Sequence, residues 1–136
     1  MGMEPVVPGL WRIPLARRSV NSYVWSENGQ LTLIDCGYPG SGQAIIDALR
    51  HRGHDPHAVR EIVLTHGDVD HMGGVAVLRA ATGARLVAHE LALRVVEGRE
   101  HRPWGPGWQS QFLGHLVEMW CRHSMSYLDP DDESQP

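Results

Sequence analysis

Four side chains that can bind a metal ion lie within six consecutive positions of this 136-residue chain: His66, Asp68, Asp70 and His71. Imidazole nitrogen and carboxylate oxygen together suit Zn²⁺, and Fe and Mn are the alternatives. In a turning loop, His66 and Asp68 can converge on one point, and Asp70 and His71 on a neighbouring point. The spacing therefore predicts a metal-binding loop. The competing interpretation is a polar turn whose aspartates only cap the next helix.

The elements on either side of this loop are typical of an α/β site. Residues 61–64 form a short apolar run that predicts a strand, and residues 66–71 are polar and loop-like. Residues 73–81 predict a helix that Gly83 ends. Functional groups in α/β proteins usually lie on loops that follow strands. The position of the loop thus favours a functional role.

The preceding part of the chain predicts a mixed sheet. Strands are expected at residues 10–13, 20–26 and 31–35, and the sequence Asn28-Gly29 is typical of a tight hairpin turn. Ser41 is expected to cap a helix that runs to about residue 52. A strand at residues 86–88 and a helix at 90–97 follow the loop, with His89 expected to pack or to cap that helix. Strands that alternate with helices indicate an α/β fold with helices on at least one face of the sheet.

The character of the sequence changes after Gly98. Residues 99–107 are rich in Pro and Gly and predict a linker, and residues 129–136 are acidic and predicted to be disordered. Residues 108–128 follow a helical period and predict an amphipathic helix. Its apolar stripe contains Phe112, Leu116, Trp120 and Tyr127. We consider three interpretations of the stripe: a helix packed on its own core, a lid over the metal loop, or an exposed face for a partner.

Composition excludes several classes of partner. The net charge is −4, and four of the 16 acidic residues lie in the last eight positions, so the rest of the chain is neutral. A nucleic-acid-binding face needs clustered basic residues, and we therefore expect no nucleic-acid partner. No apolar run approaches the roughly 20 residues of a membrane span, and residues 1–18 lack the apolar core of a secretory signal. We expect a cytoplasmic protein with no membrane partner, in which Cys36 and Cys121 are free buried thiols.

The order of motifs around the loop resembles the metallo-β-lactamase superfamily. Residues 65–71, Thr-His-Gly-Asp-Val-Asp-His, are similar to its metal-binding signature His-x-His-x-Asp-His. Residues 33–37, Leu-Ile-Asp-Cys-Gly, resemble the family's Leu-Ile-Asp-x-Gly strand end, and residues 72–74 resemble its small-residue helix start. The resemblance extends from Val6 to Glu97.

The resemblance implies the fold in more detail. Residues 1–98 are expected to form the N-terminal half of a four-layer αββα domain, a mixed sheet with helices on one face, followed by the amphipathic helix. The family's second half carries a Pro-Gly-His segment, a bridging Asp and a final His, and none of these is recognisable here. We therefore expect a truncated chain.

The resemblance also implies roles for individual residues. His66 and Asp68 would bind a first metal ion, and Asp70 and His71 a second, with Asp70 also orienting the attacking water as a catalytic residue. Asp35 would hold a ligand histidine by a hydrogen bond. Asp68 replaces the second histidine of the motif, and its harder oxygen shifts the preference from zinc toward Fe or Mn. The implied cofactor is one or two zinc ions, with Fe or Mn as alternatives.

The function implied by the resemblance is metal-dependent hydrolysis of a small-molecule ester, thioester, lactone or phosphoester through a metal-bound hydroxide. Because the second-half ligands are not recognisable, we expect little activity from this chain alone. The alternative is a non-catalytic truncated relative that acts as a binding or dimerising module, with a homodimer formed through helix 108–128. The sequence alone does not choose between these two functions.

Overall fold

In the part of the chain that the structure describes, six strands form one sheet and lie side by side in the order of the sequence. The computed structural model describes residues 2–97 and residue 99. The strands are β1 (Glu4–Val7), β2 (Leu10–Leu15), β3 (Val20–Glu27), β4 (Gln30–Ile34), β5 (Val59–Leu64) and β6 (Arg85–Ala88). The predicted linker beyond residue 99, the predicted helix 108–128 and the predicted tail 129–136 lie outside the described residues, as does Cys121.

The sheet is mixed, as the sequence predicts. Strands β1 to β4 pair antiparallel, whereas β4, β5 and β6 pair parallel. The hairpin between β3 and β4 turns at Asn28 and Gly29, whose φ angles are both positive, 50° and 76°. Two left-handed residues in a two-residue loop match the twist of the flanking strands. The predicted hairpin is therefore confirmed, and β1 is a strand that the sequence analysis missed.

The helices are α1 (Ser41–His51), α2 (Val69–Met72), α3 (Val75–Thr82) and α4 (Glu90–Val96). Helices α1 and α3 pack against each other and against one face of the sheet. Leu33 and Ile62 of the central strands are fully buried there against Ile45, Leu49 and Leu78. The apolar face of each helix thus meets the apolar face of the sheet.

The opposite face of the sheet carries a row of half-buried residues that are in register across four strands. Tyr23 lies beside Ile34, Ile34 beside Val63, and Val63 beside Val87. In β3 and β4 these positions alternate with the buried ones, as the two-residue period of a strand requires. The sheet therefore has one apolar face in the core and a second, partly apolar face.

Two local predictions are wrong, and one is confirmed. Ser41 is the first helical residue rather than the cap; Gly40 occupies the cap position with a φ of 92°, which a residue with a side chain rarely adopts. Residues 69–72 form helix α2 rather than a loop, because the carbonyl of Asp68 accepts hydrogen bonds from the amides of His71 and Met72. The expectation for His89 is confirmed, since its side chain accepts a hydrogen bond from the amide of Leu91 at the start of α4.

Candidate metal centre

The four predicted ligands follow β5, at the edge of the sheet where the parallel strands end. Asp35 follows β4 and Thr65 follows β5, and these strands are parallel neighbours. The carboxyl ends of parallel strands form the usual position for ligand binding in α/β folds. Asp35 is therefore brought next to the loop that carries the predicted ligands, although 30 positions separate it from Thr65.

Backbone hydrogen bonds join the loop after β4 to helix α2. The amide of Cys36 donates to the carbonyl of His71 at 2.6 Å, and the amide of Gly73 donates to the carbonyl of Gly37 at 2.8 Å. A Cβ atom on Gly73 would lie 2.1 Å from the backbone nitrogen of Pro39, so only glycine fits this contact. The segment that carries the predicted ligands is thus fixed to the neighbouring strand end.

The carboxylate of Asp35 accepts three hydrogen bonds. Its Oδ1 accepts from the amide of Thr65 at 2.8 Å, and its Oδ2 accepts from the Thr65 hydroxyl at 2.7 Å and from His71 Nδ1 at 2.8 Å. Asp35 is buried, with 6% of its surface exposed, and its φ of 61° is left-handed. The Ser22 hydroxyl donates to the Asp35 carbonyl at 2.7 Å. Both the backbone and the side chain of Asp35 are therefore held in one orientation.

The hydrogen bond to Asp35 determines which nitrogen of the His71 ring can bind a metal ion. An ionised carboxylate only accepts hydrogen bonds, so the proton lies on Nδ1 and the lone pair of the neutral ring lies on Nε2. His71 Nε2 is 3.3 Å from Asp70 Oδ2. A carboxylate that orients a histidine in this way is the usual support of a metal-binding imidazole. The arrangement can present one nitrogen and one oxygen donor side by side.

The second predicted pair lies against the first. The rings of His66 and His71 meet edge to face with their centroids 3.9 Å apart. His66 Nε2 is 3.8 Å from Asp68 Oδ2, and His66 Nδ1 is buried with no hydrogen-bond partner among the described residues. Of the two ring nitrogens, Nε2 is the one that lies beside a carboxylate, and imidazole nitrogen with carboxylate oxygen is a donor set that a divalent transition metal binds. The structure brings all four predicted residues together as two adjoining pairs.

The donor separations can be compared with those of a zinc site. Two ligands that are each about 2.1 Å from a tetrahedral zinc ion lie about 3.4 Å from one another. The 3.3 Å of the His71–Asp70 pair matches this separation, and the 3.8 Å of the His66–Asp68 pair is somewhat longer. Among residues 2–97 and 99, no group of three or more His, Cys, Asp or Glu side chains is arranged to hold a metal ion. The separations within each pair are compatible with two ligands of one metal ion, and metal binding stays a prediction.

Sequence reasoning missed the two hydroxyl residues that hold Asp35. Thr65 lies beside a predicted ligand, and Ser22 is a fully buried polar residue inside a strand. A buried serine within an otherwise alternating strand is the signal that could have indicated a hydrogen-bond role. The structure bears out the expectation for Cys36, which is a free, buried thiol. Burial raises the pKa of this thiol and the Asp35 charge raises it further, so Cys36 stays protonated.

Helices of the described residues are all short. None of them is both long and apolar enough to cross a bilayer.

Comparison with known proteins relates the chain to one protein family. The profile of the metallo-β-lactamase superfamily matches residues 15–133. The probable metallo-hydrolase YflN of Bacillus subtilis is 28% identical over 117 residues, which are 82% of this chain and 44% of YflN. Metallo-beta-lactamase domain-containing protein 1 of Homo sapiens is 36% identical over 90 residues, 65% of this chain and 32% of the relative. Hydroxyacylglutathione hydrolase of Albidiferax ferrireducens is 38% identical over 76 residues, 54% of this chain and 27% of the relative.

Solved structures agree with the sequence relatives. The metallo-β-lactamase with a HARLDQ motif from Cronobacter sakazakii superposes with a TM-score of 0.66 at 25% identity, over 74% of this chain and 40% of that chain. BJP-1, a subclass B3 metallo-β-lactamase of Bradyrhizobium japonicum, gives a TM-score of 0.65 at 28% identity, over 72% of this chain and 36% of that chain. The chain thus spans less than half the length of each of these relatives. With its profile match, its α/β sheet and these neighbours, the chain belongs to the metallo-β-lactamase superfamily.

Proposed function

We propose that the chain supplies one side of the metal centre of a hydrolase that acts on a small-molecule ester, thioester, lactone or phosphoester. The observation that carries the proposal is the buried Asp35 carboxylate, which holds His71 Nδ1 at 2.8 Å and leaves Nε2 beside Asp70. Two of the sequence relatives are named as hydrolases, which supports this reaction class.

Each residue has a distinct part in this proposal. Asp70 and His71 would bind one ion, and His66 and Asp68 the neighbouring one. A bound divalent metal supplies Lewis acidity, which polarises a scissile carbonyl or phosphoryl oxygen and lowers the pKa of water. Asp70 would also orient the attacking water, and Asp35 would keep the His71 ring from rotating.

The identity of the metal follows from the donors. Imidazole and carboxylate donors together lead us to propose zinc. Fe and Mn are the alternatives, because Asp68 adds an oxygen donor where the family motif has a nitrogen donor. A stable zinc site needs three protein ligands or more, and each pair supplies two. We propose that the further ligands come from outside residues 2–97 and 99.

Metal content tests the proposal directly. The full chain would be purified, equilibrated with zinc, desalted and analysed by elemental mass spectrometry, beside His71→Asn and the matched surface control His57→Asn. We expect about one or two ions per wild-type chain, the same value for His57→Asn, and loss of at least one ion from His71→Asn. Circular dichroism would verify that both variants fold.

The outcomes separate the two functions that the sequence leaves open. A metal lost in His71→Asn but kept in His57→Asn supports the hydrolase, and thioester, lactone and phosphoester substrates would then be assayed. A wild-type chain that binds no Zn, Fe or Mn would overturn the proposal. That result would favour a non-catalytic binding or dimerising module.

A further inference from the structure

The turn between β2 and β3 has an unusual backbone. Ala16, Arg17 and Arg18 are consecutive non-glycine residues with positive φ angles of 43°, 56° and 72°. Left-handed backbone is unfavourable for residues that carry a Cβ, and such strain concentrates at functional sites. Glycine would relieve the strain, yet the two last positions are arginines. The turn therefore holds two cationic side chains in a conformation that the backbone alone disfavours.

This turn lies at the end of the sheet that carries the candidate metal centre. Leu15, the residue before the turn, packs closely on Gly37. A Cβ atom on Gly37 would lie only 2.6 Å from Leu15 Cδ1. The carbonyl of Gly37 in turn accepts a hydrogen bond from the amide of Gly73, two residues after His71. A short series of contacts thus connects the turn to the loop of predicted ligands.

The two arginines differ in their contacts. Arg18 Nη1 lies 3.0 Å from Glu4 Oε1, so its charge is paired at the edge of the sheet. The Ser19 hydroxyl closes the turn by donating to the Ala16 carbonyl at 2.8 Å. Arg17 is exposed and makes no hydrogen bond or ion pair with the described residues. Of the two cations in the turn, Arg17 is the one whose guanidinium is available to a ligand.

Basic residues are rare in the loops around Arg17. The loops at this end of the sheet, residues 16–19, 35–40 and 65–68, contain no arginine besides Arg17 and Arg18, and the chain has no lysine. The other charged residues in these loops are Asp35 and Asp68. A guanidinium presents a planar set of donors that matches carboxylate, phosphate and sulfonate oxygens. Arg17 is thus suited to bind an anionic group that approaches this edge.

We propose that Arg17 determines specificity by binding an anionic group of the substrate, remote from the bond that is hydrolysed at the metal loop. The inference rests on the proposed hydrolase function and narrows its substrates to those with a carboxylate, phosphate or similar group. It also gives a function to an arginine at a position where glycine would be less strained.

Paired thiol ligands test the inference through binding rather than activity. The zinc-loaded full chain would be titrated by calorimetry with 3-mercaptopropionate, which is anionic, and with 3-mercapto-1-propanol, which is neutral. The variants are Arg17→Gln and the matched control Arg60→Gln, which removes an exposed charge at the opposite end of the sheet. We expect the preference for the anionic thiol to fall about threefold to fivefold in Arg17→Gln and to remain in Arg60→Gln. High salt should weaken the preference in the wild type.

The outcomes distinguish a failure of the role proposed for Arg17 from a failure of the proposed hydrolase function. If the zinc-loaded chain binds both thiols and Arg17→Gln keeps the wild-type preference, only the role of Arg17 is overturned. If the chain holds no zinc, the proposed hydrolase and this inference fail together, and elemental analysis identifies that case.

A glycine variant separates recognition from folding. Arg17→Gly should raise the melting temperature, because glycine adopts the left-handed conformation without strain, and it should lose the preference for the anionic thiol. A lower melting temperature would mean that the arginine side chain supports the turn, and it would overturn the proposal.

Discussion

At the scale of single residues, the candidate centre depends most on Asp35. Its two oxygens accept three hydrogen bonds, from the Thr65 amide, the Thr65 hydroxyl and His71 Nδ1. If this carboxylate moved, each of these three donors would lose its partner, which costs free energy at a buried position. Asp35 therefore couples the stability of the fold to the orientation of a predicted metal ligand.

Replacing Asp35 by Asn should lower the stability of the fold and disturb the orientation of His71. Asparagine tolerates the left-handed φ, so the backbone is preserved, but its amide group presents a donor to neighbours that are themselves donors. We expect the free energy of unfolding to fall by about 1–3 kcal/mol, with weaker zinc binding. Urea denaturation and elemental analysis measure the two effects.

Asp47→Asn is the matched control, because Asp47 lies on the exposed side of α1, where its carboxylate accepts a hydrogen bond from Gln43. Its unfolding free energy should change by no more than about 0.5 kcal/mol. Equal stability of the Asp35 and Asp47 variants would contradict the role assigned to the buried carboxylate.

At the scale of elements, the sequence predicts five of the six strands. Alternating or continuous apolar runs identify β2 to β6, and Asn28-Gly29 identifies the hairpin. Strand β1 is missed because it is short, contains Pro5 and leaves Val6 and Val7 exposed, as an edge strand does. The pattern that reveals a buried strand is absent from such a segment.

Helix α2 and the support of Asp35 could not be predicted for a different reason. Residues 69–72 are too short a segment for a sequence period to reveal, and the helical turn that closes on the Asp68 carbonyl is fixed by two bonds to the loop after β4. One is from the Cys36 amide to the His71 carbonyl, and the other from the Gly73 amide to the Gly37 carbonyl. Likewise, Thr65 and Ser22 reach Asp35 only once β3, β4 and β5 are paired in register. Local spacing predicts which residues could bind a metal, whereas the residues that orient them depend on tertiary contacts.

The contact between helix α2 and the loop after β4 can be tested at Gly73. A Cβ at this position would lie 2.1 Å from the Pro39 nitrogen, so Gly73→Ala must separate the two segments. We expect a loss of about 1–3 kcal/mol in unfolding free energy together with weaker zinc binding, measured by urea denaturation and elemental analysis.

Gly83→Ala provides the comparison, because Gly83 has a positive φ of 71° but no atom near its virtual Cβ. That variant should lose only about 1–2 kcal/mol through backbone strain and should bind zinc as the wild type does. Zinc binding lost equally in both variants would mean that general destabilisation, rather than the loop contact, is responsible.

The edge strand β1 is held in part by charge. Hydrogen bonds from Arg12 and then Arg18 lower the pKa of Glu4, so the ionised form is favoured in the folded state. A lowered pKa contributes stability above the unfolded-state pKa, and the contribution is lost as the pH falls through the folded-state value. Glu4→Gln should therefore unfold at lower urea concentration than the wild type at neutral pH.

The same variant should match the wild type in acid, where Glu4 is protonated, and in high salt, which screens this exposed cluster. Urea midpoints at the two pH values and two salt concentrations measure the effect. A difference that persists in acid would mean that Glu4 stabilises β1 by packing rather than by charge.

At the scale of the whole molecule, the sheet is unevenly covered. Helices α1 and α3 bury one face, whereas the row from Tyr23 to Val87 on the other face is half-buried. The central strands β4 and β5 each pair with two neighbours and contribute Leu33 and Ile62 to the core. Strands β1 and β6 pair on one side only among the described residues.

This arrangement predicts a gradient of local stability. Amide hydrogens of β4 and β5 should exchange most slowly with solvent, and those of β1 most rapidly, because opening an edge strand exposes little of the core. Hydrogen–deuterium exchange followed by mass spectrometry measures the order. Protection of β1 equal to that of β4 would contradict it.

The agreement between strand order and chain order has a consequence for synthesis on the ribosome. Every strand pairs with the one made just before it, so the sheet can grow from its first edge as the chain emerges. The antiparallel meander over residues 4–34 contains only local pairings, which form fast, whereas the parallel pairings need longer crossovers. The pairing of β3 with β4, and with it the Ser22 hydrogen bond to the Asp35 carbonyl, can therefore form before residues 65–71 leave the exit tunnel. The bonds from Thr65 and His71 to the Asp35 carboxylate would form afterwards, when the metal loop meets this strand pair.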